Sequence, residues 1–296
     1  MAETVEHVSD TAFWVAHYRA VETRRPDALF RDPLAERLAG DRGRRVAKHM
    51  GAERAMRWTL SVRTWIIDNL VLTAIKGGVD LVLNIGAGLD TRPYRLNLPT
   101  DFQWVEADFA HMIDYKTEAL ADEKPVCRLD RIACDLANDE ARLNLLADVN
   151  ARGRKILVLT EGVIPYLGND AVSDLAHDLD AQENIAFWIA EYSSPFFQTI
   201  TARSGIRRRL ERNAPFLFDP GGELESWPRF FAERHWQVAD LRFIGEEGRM
   251  VGRDLPAGPI GRFFMRFAPE ERLRPYRRMN GYALLEKGSN VVTVPA

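Results

Sequence analysis

The stretch LVLNIGAGLDTRPYRL, residues 81–96, constrains this chain more than any other. Strand-like residues lead directly into Gly86-Ala87-Gly88. Positions without a side chain let a turn take positive φ and let the backbone approach a ligand closely. Such a turn can cradle NAD, FAD, a phosphate or S-adenosylmethionine. The dinucleotide fingerprint has a third glycine that allows close helix–strand packing. Thr91 stands at that position, and Asp90 and Arg92 place polar groups at the mouth of the turn.

The pattern around the turn points to an α/β fold. Strand candidates at 81–85, 103–107, 130–134, 156–160 and 185–190 alternate with helical segments. In the helix beginning near Asp170, Val172, Leu175, Ala176 and Leu179 form one stripe. This alternation predicts a parallel sheet with helices on both faces. Two late strands, VADLRFIG and YALLEKG, have only a Pro/Gly/Arg-rich connection between them, which predicts an antiparallel pair at one sheet edge.

Residues 9–76 read as helical. The first helix is capped by Ser9 or Asp10. The second takes Asp32 as N-cap, Pro33 at its first position and Gly40 as terminator. The third is stopped by Gly77 and Gly78. Residues 195–222 interrupt the alternation and are expected to lie over the carboxyl edge of the sheet, where ligands of open α/β folds bind. The expected organisation is a single domain over 1–296: a helical leader (1–78), a cofactor-binding core (79–194), a lid insertion (195–222) and a C-terminal helix with edge strands (223–296).

Charge narrows the partners. Lys and Arg number 40 against 43 Asp and Glu, so nothing electrostatic favours nucleic acid. The acidic opening MAETVEHVSD lacks the apolar core of a signal peptide, and no apolar run approaches the ~20 residues of a membrane span. A cytoplasmic protein acting on a small molecule, without membrane association, is expected. Cys127 and Cys134 lack CxxC spacing, so free thiols are expected and a metal site is not.

Acidic residues then recur at successive strand ends. Asp108, about twenty residues beyond the glycines, suits two ribose hydroxyls, and Glu106 is an alternative with the same chemistry. Asp135 can accept from an adenine amino group while the Leu136 N–H donates to the ring. Glu161 reaches the same edge. Clustered carboxylates repel one another unless a ligand or cation uses them.

Together NIGAGLDTRPYRL, WVEADF, ACDLAND and LTEGVIPYLG resemble the leucine carboxyl methyltransferase family, most closely its bacterial O-methyltransferases of polyketide-type metabolism. SDTAFWVAHYRAVETRRPDALFRDPLAERL and SVRTWIIDNL are similar to the family's leader helices. The resemblance implies a Rossmann-like class I methyltransferase sheet and S-adenosylmethionine as cofactor. It places Gly86, Ala87 and Gly88 beneath the methionine portion, with Asp90 at the mouth of the turn as a further cofactor-binding candidate. It assigns Asp108 to the ribose, Asp135 and Leu136 to adenine, Arg63 to the cofactor carboxylate and Glu161 to the region of its amino group. Arg19 matches a basic residue of the first helix. This sequence departs from general methyltransferases at one point: Asn84 stands where an acid is common two residues before the first glycine, so that role is expected to be shared by Glu161.

Transfer to a carboxylate needs no base, whereas a phenol, with pKa near 10, benefits from one. Glu161, Tyr166 and His111 are the catalytic candidates. In the insertion, Phe197, Phe216 and Arg203 are the candidate acceptor contacts, since aromatics and arginines suit an aromatic or anionic molecule. A nicotinamide-dependent oxidoreductase, a protein-terminus methyltransferase and a non-catalytic cofactor-binding protein are the rival readings. Oligomeric state is not legible in the sequence.

Overall fold

The five early strand patterns form, and the chain adds two more strands to the same sheet. A computed structural model describes residues 8–202, 204–210 and 213–288. In chain order the elements are α1 (Asp10–Thr23), α2 (Ala35–Met50), α3 (Glu53–Lys76), β1 (Leu81–Ile85), α4 (Arg92–Arg95), β2 (Gln103–Asp108), α5 (Ala110–Ala119), β3 (Arg128–Ala133), α6 (Asp139–Arg152) and β4 (Ile156–Thr160). A 3₁₀ turn at Ile164–Tyr166 leads to α7 (Asn169–Asp180), β5 (Ile185–Ser193), α8 (Pro195–Thr201), α9 (Gly205–Leu210) and α10 (Ser226–Ala232). The chain ends with β6 (Trp236–Phe243), α11 (Ile244–Met250), α12 (Pro259–Phe267), α13 (Glu270–Arg277) and β7 (Asn280–Lys287).

The sheet order is β3-β2-β1-β4-β5-β7-β6. The first five strands are parallel, and β7 runs antiparallel to both β5 and β6, as the sequence pattern predicts. One face is covered by α6, α7 and α10, whose Leu145, Val149, Val172, Leu175 and Phe231 join Leu83, Val158 and Trp188 in one core. On the other face Val62, Ile66, Ile67, Leu70 and Val71 of α3 pack on Val82, Leu157, Leu159 and Ile189. The third leader helix is therefore one of the layers that bury the sheet.

Four local expectations are corrected. The Asp32 carboxylate does not cap a helix by its side chain; it accepts from Arg19 Nε at 2.8 Å and Thr91 Oγ1 at 2.7 Å. Gly40 (φ +51°) kinks α2, but the helical path resumes and continues to Met50. β5 extends three residues past the expected end, because it pairs with β7 through Ser193↔Asn280. The Pro/Gly/Arg-rich connection contains three short helices, α11 to α13.

An ion network joins the leader to the sheet. Arg92, with a side chain only 1% exposed, binds Asp68 of α3 through Nε (2.7 Å), and Asp90 (2.7 Å) and Glu161 (2.6 Å) through Nη1. Arg95 holds both oxygens of Asp68 at 2.6 and 2.8 Å. Arg19 bridges Asp32 to the Leu89 carbonyl in the glycine turn. Among the described residues no helix is long and apolar enough to cross a membrane.

Removing the hub of this network leaves three buried carboxylates short of positive charge. Breaking a buried pair costs about 3–5 kcal/mol. Arg92→Met is expected to lower the unfolding free energy by about that amount, measured by urea denaturation. A loss below about 1 kcal/mol would mean that the network is not structural.

Candidate functional site

The strand ends, the leader and the insertion enclose a cavity of about 940 Å³. The glycine turn forms its floor. Gly86 takes φ +66° and Gly88 φ +48°; a Cβ on Gly86 would approach Val163 Cγ2 to 2.4 Å. Glycine is required there by backbone conformation and by the close approach of the β4 loop. Gly86 and Ala87 donate to the Ala107 carbonyl at 2.8 and 3.2 Å, fastening the turn to β2.

At the end of β2, Asp108 accepts from Gly88 N (2.6 Å) and Phe109 N (2.7 Å), one on each carboxylate oxygen. Burial pushes its pKa up, against those two N–H groups. Each oxygen keeps a further lone pair for a hydroxyl donor. Beyond β3, Asp135 Oδ1 accepts from Ala137 N at 3.0 Å, and Leu136 N–H has no acceptor among the described residues. Both residues line the cavity. Cys134 and Cys127 are buried free thiols.

Over β1 and β4 the chemistry is zwitterionic. Arg63 uses Nε on Glu161 Oε1 at 2.8 Å, while its Nη groups make no protein hydrogen bond among the described residues. Glu161 Oε2 accepts from Arg92. Burial favours the neutral acid, yet the Arg92 and Arg63 guanidiniums overcome it and hold the Glu161 pKa at about 2. Asp90, desolvated but paired with Arg92, is likewise held well below the carboxylate range. Asn84 donates Nδ2 to Asp90 Oδ2 at 2.8 Å, which leaves its buried Oδ1 without a partner.

The structure brings together Arg19, Arg63, Gly86, Ala87, Gly88, Asp90, Asp108, Asp135, Leu136, Glu161, Tyr166, Phe197 and Phe216 in the cavity wall. It does not bring in two others. Glu106 is fully buried away from the cavity, paired with Lys116 Nζ (2.8 Å) and Arg131 Nε (3.0 Å), so its carboxylate belongs to the β2–β3–α5 interior. His111 is exposed, stacked on Phe109 at 5.8 Å with Nε2 3.0 Å from Ser9 Oγ, and lies outside the wall. Arg203 lies outside the described residues. Its neighbour Arg207 lines the cavity, whereas Arg209 caps the Met50 carbonyl.

Glu161 cannot serve as a base, because both its oxygens accept from guanidiniums and its pKa is low. Tyr166, pushed up to about 12 by burial against the pull of Arg63, sits 5.4 Å from Phe216, ring to ring. Among the wall residues not anticipated are Glu191 of β5 and Tyr282 of β7, partners in the strand register. An acid one residue beyond the expected end of the fifth strand was the available signal for Glu191.

This donor set fits S-adenosylmethionine. Arg63 offers free Nη donors to a carboxylate, Asn84 Oδ1 offers an orphaned acceptor to an ammonium, Asp108 accepts from hydroxyls, and Asp135 with Leu136 N–H matches an adenine edge.

Comparison with known proteins agrees. The leucine carboxyl methyltransferase family profile matches residues 12–180. A Streptomyces avermitilis protein, provisionally assigned as an S-adenosyl-L-methionine-dependent methyltransferase, is 34% identical over 281 residues, covering 88% of this chain and 95% of that relative. A Frankia alni protein with the same provisional assignment is 35% identical over 182 residues, covering 58% of this chain and 63% of that relative. In structure, a DUF574 family protein from Streptomyces avermitilis aligns over 92% of this chain and 97% of its own, with TM-score 0.54 at 12% identity. A provisionally assigned methyltransferase from Thermobifida fusca aligns over 93% and 94%, with TM-score 0.53 at 14% identity.

Asp108→Ala and Glu106→Gln separate the two acids of β2. Hydrogen bonds to a charged group contribute about 1.5–3 kcal/mol each, so Asp108→Ala is expected to weaken cofactor binding at least ~10-fold by isothermal titration. Glu106→Gln is expected to lower thermal stability and leave affinity within about twofold. Equal affinity losses in both variants would contradict this division.

Proposed function

The chain belongs to the leucine carboxyl methyltransferase family and is an S-adenosylmethionine-dependent methyltransferase; from that premise we propose that it methylates an oxygen of a small molecule, a carboxylate or a phenol of the kind found in polyketide or other secondary metabolism. The observation that carries the proposal is the two-part cavity. Its polar floor at the strand ends continues under a wall of Phe197, Phe216, Phe218 and Leu210 from the insertion, Trp14 from the leader and Tyr166 from the 3₁₀ turn after β4. A volume of about 940 Å³ lies at the upper end of the range for small-molecule sites, room for a cofactor and a compact acceptor together.

When bound, the cofactor supplies an electrophilic methyl group on a sulfonium. The chain's own residues then have three tasks. Asp108, Asp135 and Leu136 N–H hold the adenosine, while Arg63, with Asn84 Oδ1, fixes the amino-acid end. The ion pair to Glu161 sets the direction of the Arg63 guanidinium, so its free Nη groups are presented in one orientation. Charge-assisted contacts of this type are the stronger hydrogen bonds.

The second task is to orient the acceptor, because reactive positioning within about 3–3.5 Å supplies much of the rate. Aromatic walls suit a planar acceptor, and Arg207 adds positive charge at the same surface. The third is to exclude water. The insertion lines the cavity over the strand ends and is held by Leu210 of α9 packing on Trp14 and Val46 and, beyond α9, by the Leu217 N–H to Pro165 carbonyl bond at 2.8 Å. An insertion that covers an otherwise rigid sheet edge can admit the acceptor and then close the site.

Labelled methyl transfer from S-adenosylmethionine into panels of small carboxylic acids and phenols tests the reading. Transfer to at least one class is expected. Efficient methylation of a protein carboxyl terminus, with no transfer to either panel, would replace it. Phe197→Ala combined with Phe216→Ala is expected to raise acceptor KM about 10-fold or more, since truncating an aromatic anchor of a contact surface costs about 2 kcal/mol or more, and to leave cofactor affinity unchanged.

A further inference from the structure

Among the described residues, Glu191 is the one buried acid of the cavity wall that the cofactor assignment does not use; Asp219, also in the wall, is exposed. It occupies the end of β5, where the sheet order runs β2, β1, β4, β5, β7. Adenosine contacts lie at the ends of β3 and β2, and amino-acid contacts at β1 and β4. The next position along the same edge, towards β5 and β7, falls to the acceptor.

The carboxylate is held unevenly. Oε1 accepts from the N–H groups of both Gly162 and Val163, the second at 3.1 Å, so the β4 loop fixes its orientation. Oε2 has no hydrogen-bond partner and is sheltered from bulk water. A buried carboxylate oxygen without a donor is costly, and such groups call for a functional account.

We propose that Glu191 accepts the proton of the methyl acceptor through Oε2, and that the acceptor presents a neutral aromatic hydroxyl. This rests on the small-molecule reading above and narrows it from carboxylates and phenols to phenols. The acceptor O–H bond breaks and its proton passes to Glu191 Oε2. The oxygen lone pair forms the bond to the methyl carbon as the carbon–sulfur bond breaks, its electron pair remaining on sulfur. The products are an aryl methyl ether, S-adenosylhomocysteine and a neutral Glu191, which returns its proton to water once the site opens.

The surroundings suit that role. Facing Glu191 are Arg63 of α3, Tyr166 of the 3₁₀ turn and Tyr282 of β7, and Glu161, just beyond β4, acts on the same Tyr282. Glu161 stays ionised through its own two arginine bonds, and both tyrosines stay protonated because burial pushes them up. Burial pushes Glu191 to about 7, against the pull of Arg63 and the two loop N–H groups. A base poised near neutral pH matches a phenol far better than an ordinary carboxylate would. A carboxylic acid acceptor is already ionised at pH 7, needs no base and would be repelled by an ionised Glu191.

Glu191→Gln keeps an oxygen for Gly162 and Val163 but cannot take a proton, and Glu191→Asp keeps the acid. The proposal expects phenol turnover by the native enzyme to rise with pH through about 7. In Glu191→Gln that limb disappears and kcat falls on the order of 100-fold or more, with S-adenosylmethionine affinity unchanged; Glu191→Asp retains a pH limb. Infrared difference titration of the cofactor-free protein should show a carboxyl band ionising near neutral pH that is absent from Glu191→Gln. A Glu191 carboxyl ionising in the ordinary range overturns the proposal whatever the turnover shows. Transfer to carboxylic acids with phenols untouched overturns it and leaves the small-molecule reading standing. Transfer to neither class overturns both.

Discussion

The Arg92 side chain is the point on which the rest of the site turns. It is almost fully buried, and its guanidinium contacts carboxylates from the leader (Asp68), the glycine turn (Asp90) and the end of β4 (Glu161). Three structural units are thereby fixed to one planar cation. Its rigid fork of donors can serve several carboxylates at set angles, which a lysine could not do. With Arg19, Arg63 and Arg95 it balances Asp32, Asp68, Asp90 and Glu161, so the buried charges are paired rather than isolated. Burying such a network is weak evidence for added stability in itself. Its value here is geometric, because the same bonds that hold Glu161 also aim Arg63 into the cavity.

That geometry orders chemistry along the sheet edge. In the proposed arrangement acceptors for hydroxyl and amino groups lie at β2 and β3, the charged pair for an amino acid at β1 and β4, and a poised acid at β5. Backbone does part of the work. Gly88 N–H and Phe109 N–H pin Asp108, while Gly162 and Val163 N–H pin Glu191, so each carboxylate is oriented before any ligand arrives. Preorganised polar groups need little rearrangement when charge develops in a reaction. The apolar insertion supplies the complementary property, a surface that excludes water and accepts a planar partner.

Much of this was legible in the sequence because strand ends announce themselves locally. The glycine pair, Asp108, Asp135 with Leu136, and Glu161 each follow a short apolar run, and each lines the cavity. Glu106 illustrates the limit. It shares the face parity of Asp108, but its partners are Lys116 on a later helix and Arg131 directly across the register, and neither pairing is written near it in the chain. Glu191 was hidden for a related reason. The apolar pattern of β5 fades at Ala190, and only pairing with the distant β7 carries the strand on to Ser193. The three helices between β6 and β7 were hidden by Pro and Gly: Pro259 follows Gly258 at the beginning of α12, while Gly248 lies within α11 and Pro275 within α13. His111 was placed near the cofactor by proximity in sequence to Asp108, but the start of α5 turns its ring onto Phe109 and towards solvent.

The central claim is that leader and sheet edge form one S-adenosylmethionine site. A crystal structure of the full chain with S-adenosylhomocysteine tests it most directly. The account predicts the carboxylate within hydrogen-bond distance of the Arg63 Nη groups, the ribose hydroxyls on Asp108 and the adenine between Asp135 and Leu136 N–H, with the sulfur facing the Glu191–Tyr282 end of the cavity. A bound ligand that leaves Arg63 without a contact, or that places its adenosine over β5 and β7, would contradict it.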